Sequence, residues 1–139
     1  MVWSCLVSIL PGMAQTEKLT DYVNPFVGTD GYGNVYPGAQ IPFGGIQISP
    51  DTDSRFYDAA SGYKYNHLTL MGFSLTHLSG TGIPDLGDFL FIPGTGEMKL
   101  EPGTHEDPDQ GYRSRYSHDK ERASPNYYAV ELADYGVKA

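Results

Sequence analysis

Cysteine is almost missing from this sequence, which contains one, Cys5, in a leading apolar stretch. Beyond that stretch there is no thiol, no disulfide and no thiolate ligand for a metal. Basic residues are also scarce: nine Lys and Arg stand against 17 Asp and Glu, a formal charge of −8. That balance excludes the clustered cations by which proteins displace counterions from nucleic acid or dock on anionic membranes. No apolar run approaches the roughly 20 residues of a membrane-spanning helix. No window keeps the i, i+3, i+4, i+7 spacing of an amphipathic helix. The four histidines, His67, His77, His105 and His118, show no His-Glu-x-x-His spacing, so a zinc site is unsupported.

Glycine and proline are plentiful, at 17 and 10 of 139 residues, as are tyrosine and phenylalanine, at 11 and six. Many turns with many large flat side chains suit strands and shaped loops. The length allows one domain with one core. Residues 43–48, 61–65, 68–74, 89–92, 112–117 and 127–132 are aromatic or branched and bounded by Gly, Pro, Asp or Asn, as strands are. Six such runs at short spacing predict an all-β, antiparallel β-sandwich. In the last run Tyr128, Val130 and Leu132 share one face, and residues 112–117 are the expected partner. After a Tyr135-Gly136 turn, residues 137–139 read as the opening of another strand, so the sandwich domain, residues 15–139, is expected to be truncated at its C-terminal end. Residues 1–14 read as a signal peptide cleaved after Ala14, although the charged n-region is missing; an upstream start or a buried strand is the alternative. Export, to the periplasm, the cell surface or the medium, is the expected location.

Two segments hold the candidate chemistry. The first runs from Asn24 to Ala39, and its glycines, Gly28, Gly31, Gly33 and Gly38, let a backbone approach a ligand. It lacks the Lys-Ser/Thr end of a phosphate-binding loop, and a tightly wound surface loop is the plainer reading. The second, residues 72–88, sets His77, Ser79 and two carboxylates, Asp85 and Asp88, among glycines. Ser79 is not in Gly-x-Ser-x-Gly, which argues against a nucleophilic serine, and a lone histidine such as His77 is commonly structural. Asp51 and Asp53, or Asp85 and Asp88, are hard donors of the kind calcium takes, yet neither pair matches an EF-hand loop. Tyr32, Tyr36, Tyr57, Tyr63 and Tyr65 lie near the glycines; a tyrosine face stacks on a sugar ring, and core packing is the competing use. A neutral polyol fits the acidic composition better than nucleic acid does.

Several short motifs follow in a fixed order: Asn24-Pro25-Phe26-Val27-Gly28-Thr29, Tyr36-Pro37-Gly38-Ala39, Pro42-Phe43-Gly44, Ser61-Gly62-Tyr63, Gly72-Phe73-Ser74, and Thr76-His77-Leu78-Ser79-Gly80-Thr81-Gly82 with residues 85–88. Together, from about residue 19 to residue 139, they resemble the N-terminal domain of the family-92 glycoside hydrolases, exported bacterial α-mannosidases. The resemblance implies a sandwich packed on an (α/α)6 barrel, a sugar site at their interface, and calcium-dependent hydrolysis of α-mannosidic linkages, α-1,2 or related, with inversion. Inversion needs an acid and a base roughly 6.5–9.5 Å apart. In the family both of these, and most calcium ligands, lie in the barrel. No catalytic residue and no metal ligand is therefore assigned here, and Asp85, Asp88 and Glu97 are read as structural. Gly28, Thr29, Asp30, Asn34, His77, Ser79 and Gly80 are the candidates for lining the sugar pocket or locking against the barrel. Where family members often carry a histidine, this chain has Leu75. The expected partners are the barrel and mannose-containing glycans, with no nucleic acid and no membrane span. The alternatives are a sandwich that binds glycans without cleaving them, and a scaffold whose only partner is the barrel.

Overall fold

The computed structural model describes residues 17–53, 57–84 and 87–139. The expected signal peptide and Asp85 lie outside the described residues.

Among the described residues, short extended segments separated by tight turns make eight strands, as the glycine and proline content leads one to expect. They are β1 (Ser49–Asp51), β2 (Thr69–Leu70), β3 (Gly72–Ser74), β4 (Leu90–Phe91), β5 (Ser114–Arg115), β6 (Glu121–Ser124), β7 (Tyr127–Leu132) and β8 (Val137–Lys138). They form three antiparallel sheets, in the orders β1-β3-β4, β2-β5 and β6-β7-β8. The described helical segments are single 3-10 turns of three or four residues. The antiparallel all-β class is therefore the one expected.

The particular strands differ in places. β7 matches its expected bounds, and Val130 and Leu132 point into the core, each 0% exposed. Its partner is not residues 112–117. Pro125 and Asn126 close a two-residue turn, so β7 folds back on β6, pairing Glu121 with Val130 and Ser124 with Tyr127. β8 takes its other edge, and the segment expected as its partner supplies β5, which pairs with β2 instead. Residues 43–48 are a turn ending in an isolated bridge from Ile48 to Ala39, with Gly44 at φ 63°. Residues 61–65 are a loop. Gly62 has φ 89°, and a Cβ there would meet Asp51 Oδ1 at 2.0 Å, so the chain must turn at a glycine. The expected strand at residues 68–74 is split at Met71, whose N–H donates to the Asp51 carbonyl, so its halves serve two sheets. β1 went unpredicted because Pro50 disfavours a strand; it sits at a sheet edge, where the missing donor is tolerated.

The core gathers Tyr36, Tyr63, Leu70, Tyr116, Val130 and Leu132, with Phe73, Ile92 and Tyr128 packed against it, so all three sheets contribute. Tyr36 and Tyr63 are thus core residues, whereas Tyr32 and Tyr57 are exposed. The buried Arg113 donates to the Thr52 carbonyl and to Thr69 Oγ1, bridging the strand segments that flank it.

Candidate functional site

The glycine-rich loop closes on itself before it meets anything else. Thr29 N–H and Thr29 Oγ1 both donate to the Phe26 carbonyl, at 3.1 and 2.8 Å, and Gly33 N–H donates to the Asp30 carbonyl at 3.3 Å. A Cβ at Gly33 would stand 2.1 Å from the Gly28 carbonyl oxygen, so only glycine allows the two limbs to touch. Asp30 Oδ1 accepts from Gly31 N–H at 2.8 Å. The loop ends at Asn34, held at φ 49°, a left-handed conformation that asparagine tolerates.

Two ties hold this loop to the body of the domain. Thr29 carbonyl accepts from Tyr65 N–H at 2.9 Å, and Gly31 carbonyl accepts from Lys64 Nζ at 3.2 Å. A third contact brings in the second candidate segment, since Gly80 N–H donates to the Asn34 carbonyl at 2.6 Å. Loop 28–34 and segment 79–82, far apart in sequence, therefore form one surface. Its exposed members include Gly28, Asp30, Tyr32, Ser79 and Gly80. Asn34 Oδ1 is buried without a hydrogen-bond partner, a polar atom left to be satisfied by something beyond these residues. Thr29 is turned inward at 3% exposure and anchors the loop.

His77 is also turned inward, at 7% exposure. Its Nδ1 lies 2.8 Å from the Gln47 carbonyl, which only accepts, so that nitrogen carries a proton. Its Nε2 is 2.9 Å from both Asp51 Oδ1 and Ser74 Oγ. Serine, histidine and aspartate thus do meet, but not as a nucleophilic triad. A triad places serine and carboxylate on opposite ring nitrogens, with the serine open to substrate. Here both crowd one nitrogen, and Ser74 is 1% exposed. His77 instead ties residue 47 to β1 and β3, and holds the start of segment 77–82 in place. Sequence reasoning missed Gln47, Asp51 and Ser74 as its partners; the antiparallel register of Ser49 with Ser74 brings them together. Lys64 was missed as well, and Tyr65 was read as a stacking face rather than as an anchor of the loop; their place directly after the Ser61-Gly62-Tyr63 motif was the signal available.

The described oxygen donors considered for calcium, Asp51, Asp53 and Asp88, are already engaged. Asp51 contacts His77, and Asp53 Oδ2 lies 3.5 Å from His105 Nε2. Asp88 accepts from Thr76 Oγ1 at 2.7 Å. Among the described residues no group of three or more His, Cys, Asp or Glu could hold a metal ion. Leu75 is half-buried, its carbonyl accepting from Gln47 N–H at 2.9 Å, and Glu97 is exposed. The site offers a carboxylate, a hydroxyl, an amide oxygen, open backbone and an aromatic face. Groups of these kinds can hydrogen-bond and stack on a polar ligand.

The fold and these loops define an all-β domain, and comparison with known proteins gives its family. Residues 22–139 match the glycosyl hydrolase family 92 N-terminal domain, and the chain belongs to that family. The α-mannosidase BT3965 from Bacteroides thetaiotaomicron, of the same family, is 99% identical with a TM-score of 0.86, over 88% of this chain and 17% of that one. The family's inverting mannosidase BT2199, from the same organism, is 25% identical with a TM-score of 0.56, over 86% of this chain and 16% of its own. A protein of Arthroderma benhamiae described as an uncharacterized secreted glycosidase is 30% identical over 113 residues, which are 80% of this chain and 14% of that protein. The chain thus spans about a sixth of the relatives it matches.

Proposed function

We propose that this chain is the N-terminal domain of an exported α-mannosidase and forms one wall of the pocket that receives a mannose-containing glycan. The observation that carries the reading is the 99% identity to the α-mannosidase BT3965. The union of loop 28–34 with segment 79–82 supports it, because it gathers polar groups and an exposed tyrosine suited to a neutral sugar. In this reading Gly28, Asp30, Asn34, Ser79 and Gly80 face the sugar or the adjoining domain, while Thr29 and His77 hold them in place. The general acid, the general base and the calcium ion belong to the remainder of the longer protein, an (α/α)6 barrel. Hydrolysis proceeds with inversion, in keeping with the name of BT2199, and α-1,2-linked mannosides are the substrate class.

The surface of the domain favours a large partner within the same polypeptide. Phe43, Phe89 and Phe91 are exposed, and an apolar groove of about 390 Å³ runs between Ile48, Phe73, Phe91, Tyr127 and Tyr128. Apolar surface of this kind marks an interface. Residues 1–14 are the export signal in this account, in keeping with the relative described as secreted. No helix among the described residues is long and apolar enough to cross a membrane.

Proton NMR of the sugar first released by the full-length protein from an α-1,2-mannobioside tests the reading. Release of β-mannose, abolished by a calcium chelator and restored by calcium, is expected; α-mannose, or no hydrolysis, overturns it. A second reading, glycan binding without cleavage, is favoured by the open faces of Tyr32 and Tyr57. Calorimetric binding of mannose oligomers by the present chain alone would support that alternative.

A further inference from the structure

The glycine loop is held by Tyr65, and Tyr65 is itself held by a cluster whose key members, His118 and Glu121, lie outside both candidate segments. The Tyr65 ring lies flat on His118, with centroids 3.9 Å apart and planes 7° from parallel, and Phe26 meets it edge-on with centroids 5.7 Å apart. His118 Nε2 donates to the Tyr65 carbonyl at 2.7 Å, while the Tyr65 N–H donates to Thr29. The ring and both backbone groups of Tyr65 are therefore engaged.

His118 is in turn fixed by Glu121. Its Nδ1 lies 2.6 Å from Glu121 Oε2, and the other carboxylate oxygen accepts from Tyr63 at 2.9 Å and from Tyr128 at 2.5 Å. Glu121 is 3% exposed. A carboxylate buried this deeply costs stability unless its lone pairs are satisfied, and here three groups satisfy them. The outcome is a relay of direct contacts from the core, through Glu121, His118 and Tyr65, to the Thr29 carbonyl in the loop. Stability alone does not call for a histidine stacked on a half-exposed tyrosine at the far end of such a network.

We infer that His118 and Glu121 are positioning residues for the sugar-binding loop, acting through Tyr65. This inference rests on the proposed role of loop 28–34. The test uses full-length enzyme, conveniently BT3965 with its matching segment exchanged for this one, carrying His118→Phe, which keeps a ring for the stack and removes both hydrogen bonds. A merely structural role lowers the melting temperature and the active fraction, and so the apparent kcat, but leaves KM in place. The inference predicts that KM for an α-mannoside rises about three- to tenfold, the scale of one misplaced hydrogen bond, with kcat per folded enzyme within about twofold. Tyr65→Leu, a substitution at a partly exposed position that leaves the core intact, is predicted to raise KM in the same way. An unchanged KM in both variants overturns the inference. Asn34→Ala, within the loop, separates this from failure of the underlying reading. If Asn34→Ala raises KM and the other two do not, the relay alone is refuted; if Asn34→Ala is also silent, both the loop reading and the relay fall.

Discussion

At the scale of single residues, the loop's glycines are not equivalent. Gly31 has φ 59° but open space where a Cβ would go, whereas a Cβ at Gly33 would collide with the Gly28 backbone. Gly31→Ala is expected to cost about 1 kcal/mol, the ordinary penalty for a left-handed non-glycine residue. Gly33→Ala is expected to cost at least about twice that and to dislodge the loop, because backbone rather than a flexible side chain must move. Urea denaturation of the two variants checks the order; equal costs would show that the limbs of the loop do not touch. His77→Ala would leave Asp51 and the Gln47 carbonyl without their ring partner, and a loss of about 1–3 kcal/mol per unsatisfied buried group is expected in the same assay. His77 was visible in the sequence as a candidate, yet its role was not. Its partners Gln47 and Asp51 lie 30 and 26 positions earlier, and only the pairing of β1 with β3 brings them within reach.

Among the elements, the β6-β7 hairpin combines local pairing with two fully buried side chains, Val130 and Leu132. Leu132→Ala is predicted to destabilise the chain by about 2–5 kcal/mol, since it opens a cavity where nothing is exposed. Leu90→Ala in β4, where the side chain is 39% exposed, is predicted to cost under about 1 kcal/mol. Thermal melts of the two variants decide this; similar losses would mean that β4 is buried as deeply as β7. β7 was legible because its alternation of faces is a local property of six residues. Its partner was not, because a two-residue Pro125-Asn126 turn favours the immediate neighbour, Glu121–Ser124, and that segment carries two charges and no large apolar residue to announce it. β1 was hidden for the opposite reason: Ser49-Pro50-Asp51 reads as a turn and becomes a strand only by pairing with β3. The aromatic composition of residues 43–48 and 61–65 suggested strands, but Gly44 and Gly62 adopt positive φ and turn the chain there.

Over the whole molecule, three of the tyrosines around the core set its response to alkali. Burial above all, with Glu121 and neighbouring phenols adding to it, raises Tyr63, Tyr116 and Tyr128 above the ordinary phenol value. A raised pKa means that the folded form favours the protonated phenol. The stabilisation is complete below the unfolded value of about 10 and falls as pH climbs above it. In an alkaline titration followed at 295 nm, the buried Tyr63, Tyr116 and Tyr128 are expected to ionise only as the chain unfolds. A single transition near pH 10 with the fold intact would contradict the burial of the Glu121 cluster. The family and the all-β class were both legible in the order of short motifs, because most of those motifs sit in the turns that shape the loops. The joining of loop 28–34 to segment 79–82 was not, because it is a contact between two backbones and no side-chain pattern encodes it.

That joined surface is the centre of the account, and the most direct measurement is kcat/KM on an α-mannoside for full-length enzyme carrying Asp30→Ala together with Ser79→Ala. Both residues are exposed, so the melting temperature should stay within about a degree or two of the parent. The account predicts a fall in kcat/KM of at least about tenfold, equivalent to roughly 1.4 kcal/mol of lost transition-state binding. A doubly substituted enzyme that stays folded and hydrolyses mannosides at the parent rate would contradict it, and would leave the domain as a scaffold that never touches the sugar.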